Sequence, residues 1–319
     1  MILLIFLTSL LIVTLGNLLI LRYLTSVRNW SQRRMLQCLV LALPLLSLGV
    51  SVSAWCLQSD TVSWVERAMQ VPLFLIFLIA ASAFLLNGVR LILIFYFFAR
   101  CHRQEDSGLQ ELSQPLLQRL NLPSVRILCC AVDQPLALAW GFFRPRILLS
   151  RWMIEHLDSQ ELEAVLAHEL HHIVQRDSLI IWLATMLRDA FFYLPTTRQA
   201  YRALQKEKEL ACDDLVVSVT RRPLALASAL AKVWVHMLEQ GKPVSLVGTH
   251  SFGGEDALLP ARIERLRQHC ASMKNESSTT VWLKSTSVTS LFFLLQGIGL
   301  VVLLAFLVCG KMPFLPGAF

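Results

Sequence analysis

Two histidines and a glutamate stand at a spacing that suits a catalytic metal ion. His168 and His172 are four residues apart, and Glu169 directly follows the first histidine. On a helix, a separation of four places two side chains one turn apart on the same side, so both imidazoles can bind one tetrahedral Zn²⁺. Glu169 lies around the helix from that pair, where its carboxylate can take a proton from an attacking water. The pattern predicts one zinc ion per chain, with His168 and His172 as ligands and Glu169 as the general base.

The surrounding residues predict the helix that this spacing requires. Asp158 and Glu161, three residues apart, form a plausible capping box at its start. Apolar residues then recur at helical spacing at positions 162, 165, 166, 170, 173 and 174. The extra histidine, His171, is expected to be a polar flank of the site, because the four-residue pair already satisfies the ligand pattern.

A second helical pair of acids is the candidate source of the third ligand. Glu209 and Asp213 are four apart and share a helix face, so Glu209 could bind zinc while Asp213 hydrogen-bonds a ligand histidine. The alternative is a solvated, charged helix start, which suits residues 206–208 well. It suits Glu209 and Asp213 less well, because the apolar residues 210–212 between them indicate burial. Asp177 either supports a ligand histidine or caps the next helix, and the sequence leaves both roles open.

Short strands are predicted ahead of this helix. Residues 125–131, 137–140 and 146–149 are apolar runs joined by Asp-Gln-Pro and Phe-Arg-Pro turns. A small sheet beside the metal helix could offer an edge for an extended peptide, or it could serve only core packing. The sequence does not choose between the two.

The composition of the whole chain indicates a membrane protein. Of its 319 residues, 55% are hydrophobic and only 16% are charged, with a mean hydropathy of +0.57. Soluble domains need charge on about a quarter of their residues. The net charge of +7 is therefore attributed to basic residues that flank membrane spans, and no direct binding to nucleic acid is expected.

Four uncharged stretches reach the length that a bilayer demands, at about residues 1–21, 35–56, 71–98 and 288–309. The loop between the first two contains four arginines and no acid, so the positive-inside rule makes it cytoplasmic. We therefore expect an external N-terminus, a cytoplasmic domain at 100–287 and a short external tail at 310–319, in the inner or plasma membrane. Residues 178–194 are apolar but contain Arg188 and Asp189, which favours a core or surface helix over a fifth span.

Three motifs and the order of the spans resemble the BlaR/MecR-type antirepressor metallopeptidases. The motifs are the segment Gly141–Ser150, the run 167–172 followed by Asp177, and the run 209–213. The resemblance covers nearly the whole chain and is more specific than the histidine pair alone.

The resemblance implies a mainly α membrane protein with four transmembrane helices and a cytoplasmic α+β, gluzincin-like zinc peptidase domain. It implies that His168, His172 and Glu209 bind the metal and that Glu169 is the general base. The resemblance also implies a cytoplasmic transcriptional repressor as the substrate, here a winged-helix DNA-binding protein, and self-cleavage is common in the family. The family's antibiotic sensors carry an external penicillin-binding domain after the fourth span, whereas this sequence stops ten residues beyond it. We therefore expect no direct β-lactam sensing.

Two further hypotheses stay open beside the repressor protease. An HtpX-type quality-control peptidase would place spans between the zinc helix and the third ligand. A non-enzymatic receptor with a structural zinc would need a fourth protein ligand, for which His171 or Cys212 are the candidates. His250 and Arg262 are candidates for stabilising an oxyanion, with a surface role as the alternative. A homodimer is a further possibility that the sequence does not decide.

Overall fold

The computed structural model describes residues 2–27, 29–56, 71–100, 103–105, 107–141, 144–240 and 262–268. These residues form two compact units, one within 1–91 and 183–204, the other within 92–182 and 205–268. The boundaries of these units differ from the domain boundary near residue 99 that the sequence predicts, and that boundary stays a prediction. The predicted fourth span, the external tail and His250 lie outside the described residues, as does the loop at 57–70.

The first unit contains the helices that match the three predicted N-terminal spans. They are α1 (Ile2–Leu24), α2 (Trp30–Ala42), α3 (Pro44–Cys56) and most of α4 (Val71–Arg100). Pro44 cannot donate a backbone hydrogen bond, and the chain breaks there into α2 and α3. By length and composition, three stretches of the described residues could cross a membrane, and they are Leu3–Leu24, Trp30–Val52 and Phe74–Ile94.

The second unit combines a small sheet with helices. It contains β1 (Arg103–Glu105), α5 (Ser107–Arg119), β2 (Arg126–Cys130), β3 (Ala137–Trp140), β4 (Arg146–Ser150), α6 (Arg151–His156), α7 (Ser159–Val174), the first half of α8 (Asp177–Ala190), the second half of α9 (Pro195–Thr220), α10 (Pro223–Gln240) and a helical turn at 262–268. The three strands predicted from the sequence lie within one residue of the observed bounds. The strand order is β1-β2-β4-β3, with β2 and β4 parallel and the other two pairs antiparallel. β3 is therefore an edge strand.

The two faces of the sheet belong to different apolar clusters, as the strand period of two requires. Ile127, Ile147 and Leu149 pack in the cluster that contains α7, whereas Leu128 and Leu148 lie in a smaller cluster on the other face. Val165, Leu166 and Leu170 of α7 are fully buried in the larger of these clusters. Full burial of such a side chain contributes about 1.5–3 kcal/mol, so packing holds α7 firmly in the core.

The start of α7 is fixed by the capping box that the sequence predicts. The Asp158 carboxylate accepts from the backbone N–H groups of Gln160 and Glu161, both at 2.8 Å. The Glu161 carboxylate in turn accepts from the Asp158 N–H at 2.9 Å. Lys232 on α10 also donates to Glu161 at 2.6 Å, which ties the helix start to its neighbour.

Arg188 and Asp189, the charged residues inside the apolar segment 178–194, lie in α8, which is too short to span a bilayer. α8 has 14 residues, which is about 21 Å of helix against the ~30 Å core of a bilayer. Within the first unit, Arg188 donates to Asp189 at 2.8 Å and stacks over the Tyr201 ring. Asn87 of α4 donates to Asp189 at 3.1 Å. These contacts satisfy the charges, in agreement with the expectation that the segment is not a fifth span.

Candidate metal centre

α7 places the two histidines and the glutamate of the predicted site together and away from solvent. His168, Glu169 and His172 are all buried, at 0%, 1% and 6% exposure. The two imidazole rings lie 4.8 Å apart between centroids and are nearly perpendicular. The four-residue spacing therefore produces the convergence of side chains that the sequence predicts.

Each histidine uses one ring nitrogen to contact a supporting acid and turns the other toward Glu209. His168 Nδ1 lies 3.2 Å from Asp213, and its Nε2 lies 3.3 Å from Glu209 Oε2. His172 Nδ1 lies 2.8 Å from Asp177, and its Nε2 lies 3.9 Å from Glu209 Oε1. A carboxylate on one imidazole nitrogen fixes the ring and leaves the other nitrogen for a metal.

The distances among these donors fit a zinc ion. Nitrogen and oxygen ligands bind Zn²⁺ at about 2.0–2.2 Å, so two ligands of one tetrahedral ion are about 3.4 Å apart. The two oxygens of Glu209 each face one histidine. The separation from His168, 3.3 Å to Oε2, is close to that value, and the separation from His172, 3.9 Å to Oε1, is somewhat longer. Two imidazoles and one carboxylate are also the ligand chemistry of many catalytic zinc sites.

Cys212 is a second candidate for the third ligand. Its thiol is buried, and Sγ lies 3.8 Å from His172 Nε2 and 3.0 Å from His171 Nδ1. The ligand atoms of His168, His172 and Cys212 all lie within 4.8 Å of one another. However, burial raises the pKa of the Cys212 thiol well above its usual range, and nearby carboxylates add to the shift. The thiol would therefore have to release a proton on binding a metal, whereas the Glu209 carboxylate is already ionised, and we favour Glu209 as the third ligand.

Positive charges keep Glu209 ionised. Burial by itself would raise its pKa, but Lys208 and Arg262 outweigh burial and hold the pKa of Glu209 well below its usual range. Lys208 Nζ lies 2.9 Å from Glu209 Oε1, and Arg262 Nη1 lies 3.2 Å from Oε2. The interpretation of residues 206–208 as a solvated helix start is wrong for Lys208, which is 3% exposed. α9 begins at Pro195, so Lys208 lies in mid-helix.

The acids around His168 favour a positive charge at its ring. Burial opposes protonation, yet the hydrogen bonds to Asp213 and Glu209 outweigh it and raise the pKa of His168 to about 9. The pKa of Asp213 is lowered, since Arg262 outweighs the effect of burial. The same field that attracts a proton attracts a metal cation.

Glu169 is oriented by the edge strand of the sheet. The Ala139 N–H of β3 donates to Glu169 Oε2 at 2.7 Å. Glu169 Oε1 is buried and has no hydrogen-bond partner among the described residues. One oxygen is thus fixed and the other stays available to accept a proton, which is the arrangement that a general base needs.

The structure brings six of the predicted site residues together, and they are His168, Glu169, His172, Asp177, Glu209 and Asp213. Arg262 also reaches the site, where its guanidinium contacts carboxylates. The sequence analysis did not identify Lys208 or the Ala139 N–H as parts of the site. Lys208 adjoins Glu209 in sequence, whereas nothing in the sequence marks a particular backbone amide.

Asp177 is the first residue of α8, and its carboxylate contacts His172 Nδ1 at 2.8 Å, as an acid that supports a ligand histidine would. We expect Asp177→Asn to weaken zinc binding by about 10–100-fold, because the amide no longer stabilises the required His172 tautomer. Competition with a chromophoric chelator would measure the affinity. Asp133→Asn, at an exposed position, is the control and should leave the affinity unchanged. An unchanged affinity for Asp177→Asn would show that the His172 contact is dispensable.

Comparison with known proteins identifies relatives of this chain. The model of the BlaR1 peptidase M56 family matches residues 5–255. The regulatory protein BlaR1 of Bacillus licheniformis is 28% identical over 89 residues, which cover 28% of this chain and 15% of BlaR1.

Similarity to HtpX proteases extends over a larger share of the relatives. A protease HtpX homologue of Aquifex aeolicus is 31% identical over 217 residues, covering 52% of this chain and 72% of the relative. A homologue of Salinibacter ruber is 27% identical over 213 residues, covering 56% of this chain and 76% of the relative. The apolar helices and these relatives together indicate an integral membrane protein.

Proposed function

The chain belongs to the BlaR1 peptidase M56 family, and we propose that it is a membrane zinc endopeptidase that cleaves a cytoplasmic transcriptional repressor. One observation carries the proposal. Two imidazole nitrogens and the Glu209 carboxylate converge beside Glu169, whose Oε1 is available to accept a proton. A structural zinc site is closed by four protein ligands and performs no proton transfer, so it needs no such base.

The metal, when bound by His168, His172 and Glu209, supplies Lewis-acid chemistry that polarises a carbonyl and makes water nucleophilic at neutral pH. The chain's own residues perform the rest. Glu169 Oε1 takes the proton of the attacking water and later delivers it to the leaving amine. Oε2 stays on the Ala139 N–H during both transfers, so the carboxylate does not rotate away. Asp213 and Asp177 keep the histidine rings fixed.

The position of β3 supports a peptide as the substrate. The backbone of Ala139 directs its N–H toward Glu169 and its carbonyl toward Ser178, which donates to it at 3.3 Å. This edge of the sheet therefore runs directly beside the catalytic base. An extended peptide that pairs along this edge would bring a scissile bond to the site.

The assignment of the site to the cytoplasm rests on loop charge. Arg22 in the last turn of α1 and Arg33 and Arg34 near the start of α2 flank the connection between these helices, and no acid lies with them. Arginines of short loops are retained on the cytoplasmic side. This orientation gives the peptidase access to a soluble DNA-binding protein, and it leaves the N-terminus outside.

Co-expression with candidate winged-helix repressors tests the proposal. The full chain should convert one of them into discrete fragments, and mass spectrometry would map the cleaved bond. Removal of the metal with a chelator should stop cleavage in isolated membranes, and Zn²⁺ should restore it. Cleavage that persists after chelation would contradict a metallopeptidase. A panel in which no repressor is cleaved, while other proteins are, would contradict the substrate assignment.

The HtpX similarity favours a second candidate function, the degradation of damaged membrane proteins. The relatives that carry this name align over 72% and 76% of their length. A misfolded membrane protein added to the same co-expression assay separates the two functions. Its progressive degradation without cleavage of any repressor would establish the second function in place of the first.

A further inference from the structure

A short helix from a distant part of the chain reaches the carboxylates of the site. Arg262, at the start of the helical turn 262–268, donates to Asp213 through Nε at 2.8 Å and through Nη2 at 2.7 Å. Its third nitrogen, Nη1, lies 3.2 Å from Glu209 Oε2. The side chain is 1% exposed. All three nitrogens of the guanidinium therefore contact acids that touch or face a ligand histidine.

The remaining contacts of this turn hold it against α9. Arg265 donates to Asp214 at 3.1 and 2.7 Å, which makes a second two-pronged pair beside the first. Leu266 is 1% exposed and belongs to the main apolar cluster. The Arg265–Asp214 pair is partly exposed, at 42% and 41% of its side-chain surface, and touches neither ligand histidine in the described contacts.

The charges of the site require a cation at this position. Four carboxylates are buried there, those of Glu169, Asp177, Glu209 and Asp213. Lys208 and Arg262 supply two positive charges against these four, and a bound divalent metal would supply two more, so loss of Arg262 would leave these carboxylates with less compensation. Removing one partner of a buried ionic group leaves an uncompensated charge, which is strongly unfavourable.

We propose that Arg262 is a positioning residue that holds Asp213 and Glu209 in their metal-binding orientation, and that the Arg265–Asp214 pair keeps it in place. The proposal rests on the assignment of the zinc site made above. The guanidinium acts on the metal through Glu209 directly and through the Asp213–His168 contact. Stabilising an oxyanion would need the guanidinium nitrogens that already contact Asp213 and Glu209. We therefore assign Arg262 to positioning.

Arg262→Lys tests the first part, because it keeps the charge and loses the planar two-pronged contact with Asp213. Zinc affinity of the full chain in detergent should fall about 10–100-fold, the usual loss for a group that supports a ligand. The visible absorption of bound Co²⁺ should shift, which would report changed ligand geometry. Arg267→Lys is the matched control in the same turn, since Arg267 is exposed and pairs with Glu264 at 3.0 Å, and it should leave the Co²⁺ spectrum unchanged. Identical affinity and spectrum in wild type and Arg262→Lys would overturn the proposal.

A charge exchange tests the second part without altering any residue of the site. Asp214→Arg and Arg265→Asp alone should each lower zinc affinity about 2–5-fold, the scale of a partly exposed ion pair. The double variant should recover most of the loss. Equal affinity in all three variants and the wild type would refute the role of this pair. Failure of the wild-type chain to bind zinc would contradict the proposed function. If the wild type binds zinc and Arg262→Lys has no effect, only the present inference is contradicted.

Discussion

Glu169→Gln should lower the rate of peptide cleavage by about 10²–10⁴-fold while zinc stays bound. Glutamine has nearly the same shape, and its amide oxygen can still accept from the Ala139 N–H, so the local structure should persist. What is lost is the carboxylate Oε1 that takes the proton of the attacking water. The ligand atoms on His168, His172 and Glu209 are unchanged.

Two measurements on the same preparation check this result. Fragment formation from the co-expressed substrate gives the rate, and elemental analysis of the purified chain gives the zinc content. Glu163→Gln on the same helix is the control, since Glu163 is partly exposed and pairs with Arg222. Undiminished cleavage by Glu169→Gln would eliminate Glu169 as the base. A simultaneous loss of zinc would instead reveal a structural role for this carboxylate.

Glu209→Gln should lower zinc affinity by more than the ~10–100-fold that loss of a supporting group produces. A neutral amide is a weaker ligand than a carboxylate. The change also removes the carboxylate that pairs with Lys208 and one of the two carboxylates that pair with Arg262. Glu209→Asp provides a second variant that keeps the charge and shortens the side chain by one carbon. It should bind zinc better than Glu209→Gln if charge is decisive.

Cys212→Ser decides between the two candidate third ligands. If Glu209 is the ligand, Cys212→Ser should keep most of the zinc affinity, and the Co²⁺ form of the wild type should lack a near-ultraviolet sulfur-to-metal absorption band. A strong band that disappears in Cys212→Ser would assign the ligand to the thiol and reject Glu209. Thermal unfolding of each variant, measured with and without zinc, separates loss of the metal from loss of the fold.

The parts of the site that the sequence predicts are those set by local geometry. His168 and His172 follow from a four-residue separation on one helix, and the capping box at Asp158 follows from a three-residue separation. Glu209 and Asp213 repeat the first rule on α9. The pairing of residues within each helix follows from the helical period. The choice of Glu209 as a ligand also depends on the apolar residues around it and on the family resemblance.

The parts that escape prediction depend on contacts between distant segments. Arg262 and Asp213 are 49 residues apart in sequence, and no periodicity relates them. The burial of Lys208 depends on where α9 begins, and the sequence contains charged residues that suit a later start. The orientation of Glu169 depends on a backbone amide of β3, which any residue type other than proline could supply.

The apolar helices of the first unit show the same division. These three stretches were predictable because a run of apolar residues is a local property. The break between α2 and α3 follows from Pro44. In contrast, the membership of 183–204 in the first compact unit follows from pairings such as Asn17 with Thr196, at 3.4 Å. Such pairings join segments almost 180 residues apart, and composition does not reveal them.

The distance along the chain between α7 and Arg262 has a consequence for the synthesis of the protein. Ribosomes add about 5–20 residues per second, so the roughly 90 residues between His168 and Arg262 take about 5–20 s to synthesise. During that interval the nascent chain has its histidine pair but not the arginine that neutralises the surrounding acids. The enzyme that we propose is therefore assembled late in translation, and chains that terminate early should not become uncontrolled proteases.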